Sequence, residues 1–103
     1  MGRYLLTDSA KADIREIVEY LRQRSPSAAT RVQSELRAQM RRLADFPGIG
    51  HRRLDLAGDD LRFSSVYSYL IIYLPDTRPL QIIRVLHGAR DVKRILENEP
   101  EKE

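Results

Sequence analysis

Apolar and polar positions along this 103-residue chain change their period midway, and the change divides it into elements. Residues 3–7 (RYLLT) form a short apolar run. It ends at Thr7-Asp8-Ser9, residue types whose side-chain oxygen accepts a hydrogen bond from a free N–H of a helix's first turn. From there Ala10, Ile14, Ile17, Val18 and Leu21 fall on helical spacing, with Lys11, Asp13, Arg15, Glu16 and Glu19 in the remaining positions. Ser25-Pro26 closes this helix and opens a second, Ser25 as N-cap and Pro26 at the first helical position. Ala29, Val32, Leu36, Met40 and Leu43 make the second apolar stripe, and Phe46-Pro47-Gly48 stops it. So short a connection predicts an antiparallel helical hairpin.

The period then shortens. Residues 47–60 carry three glycines and a proline among polar residues and read as a loop. Residues 61–66 (LRFSSV) and 68–74 (SYLIIYL) read as adjacent strands, and 80–87 (LQIIRVLH) as a third beyond the turn PDTRP. Gly88 ends that strand, and residues 89–96 have helical spacing through Val92, Ile95 and Leu96. The expected fold is α+β in the order β-α-α-β-β-β-α, with the helical hairpin packed on a mostly antiparallel sheet and a short C-terminal helix.

Composition narrows the classes. The length suits one domain, expected over residues 1–97, with an acidic, frayed tail at 98–103. The absence of cysteine excludes a disulfide framework, a thiolate zinc site and a cysteine nucleophile. It fits a reducing cytoplasm, which is the expected location, and no stretch is long and apolar enough to imply a membrane partner. The formal net charge is +3. Residues 1–53 hold 11 basic and 6 acidic side chains, whereas residues 95–103 hold 1 and 4. Most of these charges suit solvated helix faces, but arginine supplies 15 of the 18 basic residues, and its planar fork suits carboxylates and phosphates, which keeps an anionic partner in view.

Chemistry-bearing residues concentrate in the last third. There is no phosphate-cradling glycine loop, no metal-spaced histidine pair and no strand-turn-helix elbow around a serine, so no cofactor or metal is expected. What remains is Arg62, Tyr67, Tyr69, Tyr73, Arg84, His87, Arg90 and Asp91. Strand alternation sets Tyr69, Ile71 and Tyr73 against Leu70, Ile72 and Leu74, and likewise Ile82, Arg84 and Leu86 against Ile83, Val85 and His87. Structural roles are available for several. Tyr69 and Tyr73 suit sheet packing with a wet hydroxyl. His87 suits a strand-to-helix junction, and Asp91 the N-terminus of the final helix. Arg84, between two β-branched residues, needs a partner or a solvent-facing groove.

Residues 82–91 (IIRVLHGARD), together with 69–73 (YLIIY), Leu61-Arg62, 46–50 (FPGIG) and the Ala-x-x-Asp-Ile-x-x-Ile of residues 10–17, resemble the ParE branch of the RelE/ParE toxin superfamily over residues 3–96. The resemblance implies the toxin of a type II toxin–antitoxin module. Such a toxin would inhibit DNA gyrase without catalysis, cause growth arrest, and form a hetero-oligomer with a cognate ParD-like antitoxin. DNA would be reached only through that antitoxin. The candidates for binding antitoxin or target are Ile14, Ile17, Leu21, Arg62, Tyr69, Tyr73, Arg84, His87, Arg90 and Asp91. Arg84 is expected to meet a partner carboxylate, and a hydrophobic groove is expected between the first helix and the sheet. The alternative is a ribosome-dependent mRNA endoribonuclease of the RelE type, with Arg62 and Arg84 as phosphate ligands and His87 or Tyr73 as acid or base. Against it stand the three lysines, all outside the hairpin strands, and the lack of a tyrosine after Arg84. A degenerate toxin that keeps antitoxin binding alone is the third possibility.

Overall fold

The computed structural model describes residues 2–98. Its elements are β1 (Tyr4–Leu6), α1 (Asp8–Arg24), α2 (Pro26–Asp45), β2 (Arg62–Val66), β3 (Tyr69–Leu74), β4 (Leu80–His87) and α3 (Val92–Glu97), with a 3-10 turn at Pro47–Ile49. The acidic tail expected at 98–103 lies, apart from Asn98, outside the described residues. One sheet holds all four strands in the order β1-β4-β3-β2. β2, β3 and β4 form an antiparallel meander and β1 joins β4 in parallel, from Tyr4 opposite Leu80 to Leu6 opposite Ile82.

Local chemistry sets the helix boundaries. The Thr7 hydroxyl accepts from the Ala10 N–H at 3.1 Å and donates to the Ile83 carbonyl at 2.8 Å, so the cap of α1 also ties it to β4. Ser25 serves both helices of the hairpin. Its N–H closes α1 on the Leu21 carbonyl, and its hydroxyl accepts from the Ala28 N–H at the start of α2. Pro26 follows at the position where a missing N–H leaves nothing unsatisfied.

The sheet has a core on each face. Val32, Leu36, Met40 and Leu43 of α2 pack on Ile71, Tyr73, Ile82 and Val85, with Ile14, Ile17 and Leu21 of α1 half-buried at the margin. Burying each of the larger aliphatic side chains contributes about 2 kcal/mol. On the opposite face Leu61, Phe63, Ile72, Ile83 and Leu86 lie beneath Val92, Ile95 and Leu96. The alternation expected for β3 holds: Ile71 and Tyr73 face the hairpin, Ile72 the other layer.

The alternation expected for β4 does not hold. Ile72 pairs with Arg84 while Tyr73 pairs with Ile82, so Ile83 is an extra residue, a β-bulge. An inserted residue re-aims everything after it. Ile82 and Val85 therefore share the hairpin core, and Ile83 and Leu86 the other. The last helix also starts later than its apolar spacing suggests. Arg90 N–H bonds the His87 carbonyl in a turn, and the Asp91 carboxylate caps the Arg94 N–H at 3.3 Å, which places Val92 first in α3.

Candidate functional site

β1 accompanies β4 only as far as Ile82. Beyond it, the β4 edge turned toward α1 is completed by side chains. The Thr7 hydroxyl takes the Ile83 carbonyl, and the Asp13 carboxylate accepts the Val85 N–H at 3.0 Å. The same carboxylate receives the Arg84 guanidinium as a fork, Nε at 2.7 Å and Nη2 at 2.8 Å. Asp13 is 6% exposed and the Arg84 side chain 17%. The carboxylate expected for Arg84 from a partner protein is thus supplied by this chain. Asp13 was missed as a site residue because charge alone suggested solvent. Its spacing, three after Ala10 and four before Ile17, puts it on the apolar stripe of α1.

At one end of the sheet lies a second construction. Tyr73 is fully buried, and its hydroxyl is not wet. It donates to the Pro47 carbonyl at 2.7 Å and accepts from the Gly50 N–H at 3.0 Å. Burial pushes this phenol above its ordinary range, opposed in part by the Gly50 hydrogen bond and the nearby Arg62 charge. Arg62 Nη1 donates to the Gly50 carbonyl at 2.8 Å. His51 bridges Phe63 in both directions, at 2.8 and 2.7 Å. Gly50 is required by proximity rather than by backbone conformation, since a Cβ there would overlap the Tyr73 hydroxyl.

The opposite end gathers the other candidates. Tyr69 and His87 are cross-strand neighbours whose rings meet edge to face, centroids 5.5 Å apart. The His87 Nδ1 accepts from the Ala89 N–H at 3.0 Å, and Arg90 lies exposed one turn on. Burial raises the Tyr69 phenol, with Tyr20 of α1 adding to it. Tyr20 itself is exposed beneath the Arg24 guanidinium, 3.8 Å from its ring centroid. Ile14, Ile17, Leu21 and Tyr69 border the same core, and His87 lies against Tyr69.

The residues proposed for RNA cleavage do not form one site: Arg62 and Tyr73 are cross-strand partners, but His87 lies far from them. Tyr73 and Arg62 hold the loop, Arg84 is forked on Asp13, and His87 lies opposite Tyr69, four residues along β3 from Tyr73 and about 13 Å away by strand rise. Acid, base and cation acting on one phosphate must lie within hydrogen-bond reach of it. Among the described residues no three His, Cys, Asp or Glu side chains cluster as a metal site, and no helix is long and apolar enough to cross a membrane.

The fold is a helical hairpin on a four-stranded mixed sheet, with Asp13, Arg62, Tyr73 and Arg84 engaged in holding an edge and a loop. The chain belongs to the ParE toxin family of type II toxin–antitoxin systems, parDE, whose family model matches residues 4–92. Its fold is similar to that of a chain from the chromosomal ParDE system of P. aeruginosa, with a TM-score of 0.70 at 18% identity, covering 84% of this chain and 96% of that one. Curated protein sequences offer no match.

Proposed function

We propose that this chain arrests growth by binding DNA gyrase, without a covalent step of its own, and is held inactive by a ParD-like antitoxin in a hetero-oligomer. The observation that carries the reading is the engagement of Arg62 and Tyr73 in holding the loop at Gly50 and of Arg84 in the fork on Asp13, with His87 opposite Tyr69, four residues along β3 from Tyr73. A nuclease would need them free and together. The antitoxin covers the half-buried strip of Ile14, Ile17 and Leu21 on α1 and continues over Tyr69, His87 and Arg90. An apolar segment carrying carboxylates suits this mixture of aliphatic surface and arginine. A supercoiling assay with the purified chain tests the target: inhibition is expected, and full gyrase activity at excess chain refutes it. Transcript ends mapped after induction provide the converse test, since codon-positioned cuts would establish the nuclease instead.

A further inference from the structure

The segment from Phe46 to Leu54 departs from the way the rest of the chain treats its apolar side chains. Phe46, Ile49 and Leu54 are 64%, 42% and 69% exposed. They are three of the six large apolar residues exposed among the described residues, and they fall within one short loop.

The backbone beneath them is held from below. The Tyr73 hydroxyl fixes Pro47 and Gly50, Arg62 fixes the Gly50 carbonyl, and the paired hydrogen bonds between His51 and Phe63 fix the next residue. Ordering a residue's backbone costs about 1–2 kcal/mol. In this loop the ordered residues hold apolar side chains out in water, where they gain no burial in return. Rigid, exposed apolar groups reduce the ordering cost that association would otherwise carry.

Charge selects the kind of partner. Residues 41–54 contain Arg41, Arg42, Arg52 and Arg53 against Asp45 alone. Arg41, Arg42 and Arg52 are exposed, and Arg53 is forked on the Asp55 carboxylate just beyond the segment. An exposed apolar loop flanked along the chain by arginines complements an apolar pocket with a carboxylate rim.

We propose that residues 46–54 are a rigid contact element for the toxin's protein target, and that the target offers an acidic-rimmed apolar pocket. The proposal rests on reading the chain as a toxin that acts by binding. The loop lies at the Tyr73 end of β3, whereas the antitoxin strip reaches the Tyr69 end. Target and antitoxin therefore touch different side chains, and mutation separates the two affinities.

The test uses the full chain with Phe46→Ser and Ile49→Ser together, and independently Arg52→Glu, a surface change that leaves every pinning contact in place. Growth arrest on induction, affinity for the antitoxin and gyrase supercoiling are read for each. Loss of two central apolar contacts is expected to weaken growth arrest at least ~10-fold, with antitoxin affinity held within about twofold. Arg52→Glu is expected to weaken arrest in the same direction. Undiminished arrest in both variants overturns the proposal. So does an equal fall in antitoxin affinity, which would make the loop an antitoxin surface. A concentration-dependent dimer of the wild type that the double variant abolishes also overturns it, by assigning the loop to a second copy. A wild-type chain that arrests growth with supercoiling intact refutes gyrase as the target and leaves the loop to be judged on arrest and antitoxin affinity alone.

Discussion

Replacing Asp13 by alanine removes three hydrogen bonds at once, two from Arg84 and one from the Val85 N–H. Deleting one partner of a buried pair costs about 3–5 kcal/mol. The Arg84 side chain retains some solvent access, so part of its charge is rehydrated and the lower end of that range applies. The Val85 N–H, left without its acceptor at the strand edge, keeps a penalty of about 1–3 kcal/mol even when the charge is dealt with. Asp13→Ala is therefore expected to lower stability by about 3 kcal/mol, a large share of the 5–15 kcal/mol typical of a domain. Asp13→Leu with Arg84→Met separates the two contributions. It removes both charges while leaving the strand edge unsatisfied, and should recover only part of the loss. Denaturant unfolding monitored by circular dichroism measures each variant from the midpoint and slope. A loss below about 1 kcal/mol for Asp13→Ala would refute the buried-pair reasoning. Full recovery in the double variant would refute the role assigned to the carboxylate in completing the β4 edge.

Tyr73→Phe leaves the Pro47 carbonyl and Gly50 N–H without their partner and should cost about 1–3 kcal/mol in the same unfolding assay. Because burial raises the folded-state pKa of Tyr73 above its ordinary value of 10.0, the unfolded chain loses this proton first as pH rises. Its contribution is intact below about pH 10 and declines above it. An alkaline stability profile should fall there for wild type and less steeply for Tyr73→Phe; equal slopes would count against the buried phenol. Gly50→Ala sets a Cβ against the Tyr73 hydroxyl, and a thermal midpoint equal to wild type would show that the loop is not held as described. Tyr67 has a φ of 54° at the tip between β2 and β3, a left-handed conformation costly for any side chain. Tyr67→Gly should raise stability by about 0.5–1 kcal/mol after glycine's extra chain entropy, and a lower unfolding midpoint would contradict this.

The elements that could be read directly from the chain are those specified by contacts between near neighbours. Thr7 and Ser25 cap the helices as their residue types require, Pro26 sits where it is tolerated, and the apolar stripe of α2 is the one that packs. The faces of β3 were legible because nothing interrupts its alternation. The β4 faces were not, because a bulge is visible only when the opposing strand is in place to show that Ile83 has no partner. Resemblance to the toxin family was equally a property of order and spacing, and the family match over residues 4–92 agrees with it.

Site roles behaved differently. Sequence alone identified Arg62, Tyr73, Arg84 and His87 as polar groups needing explanation, and it marked Arg84 as needing a partner, expected to be a carboxylate, or a solvent-facing groove. It did not reveal that the carboxylate stands 71 residues earlier, or that Tyr73 reaches back 26 residues to Pro47. Periodicity records which side of its own element a residue occupies and carries no information about what lies across the gap. The tertiary structure settled those pairings by burying the groups together, where an unpaired charge or hydroxyl is costly and only a few partners are within reach. The sequence by itself thus determined the elements, their order and the family. Packing alone decided which polar residues were committed to holding the fold, and so which parts of the surface carry no such role.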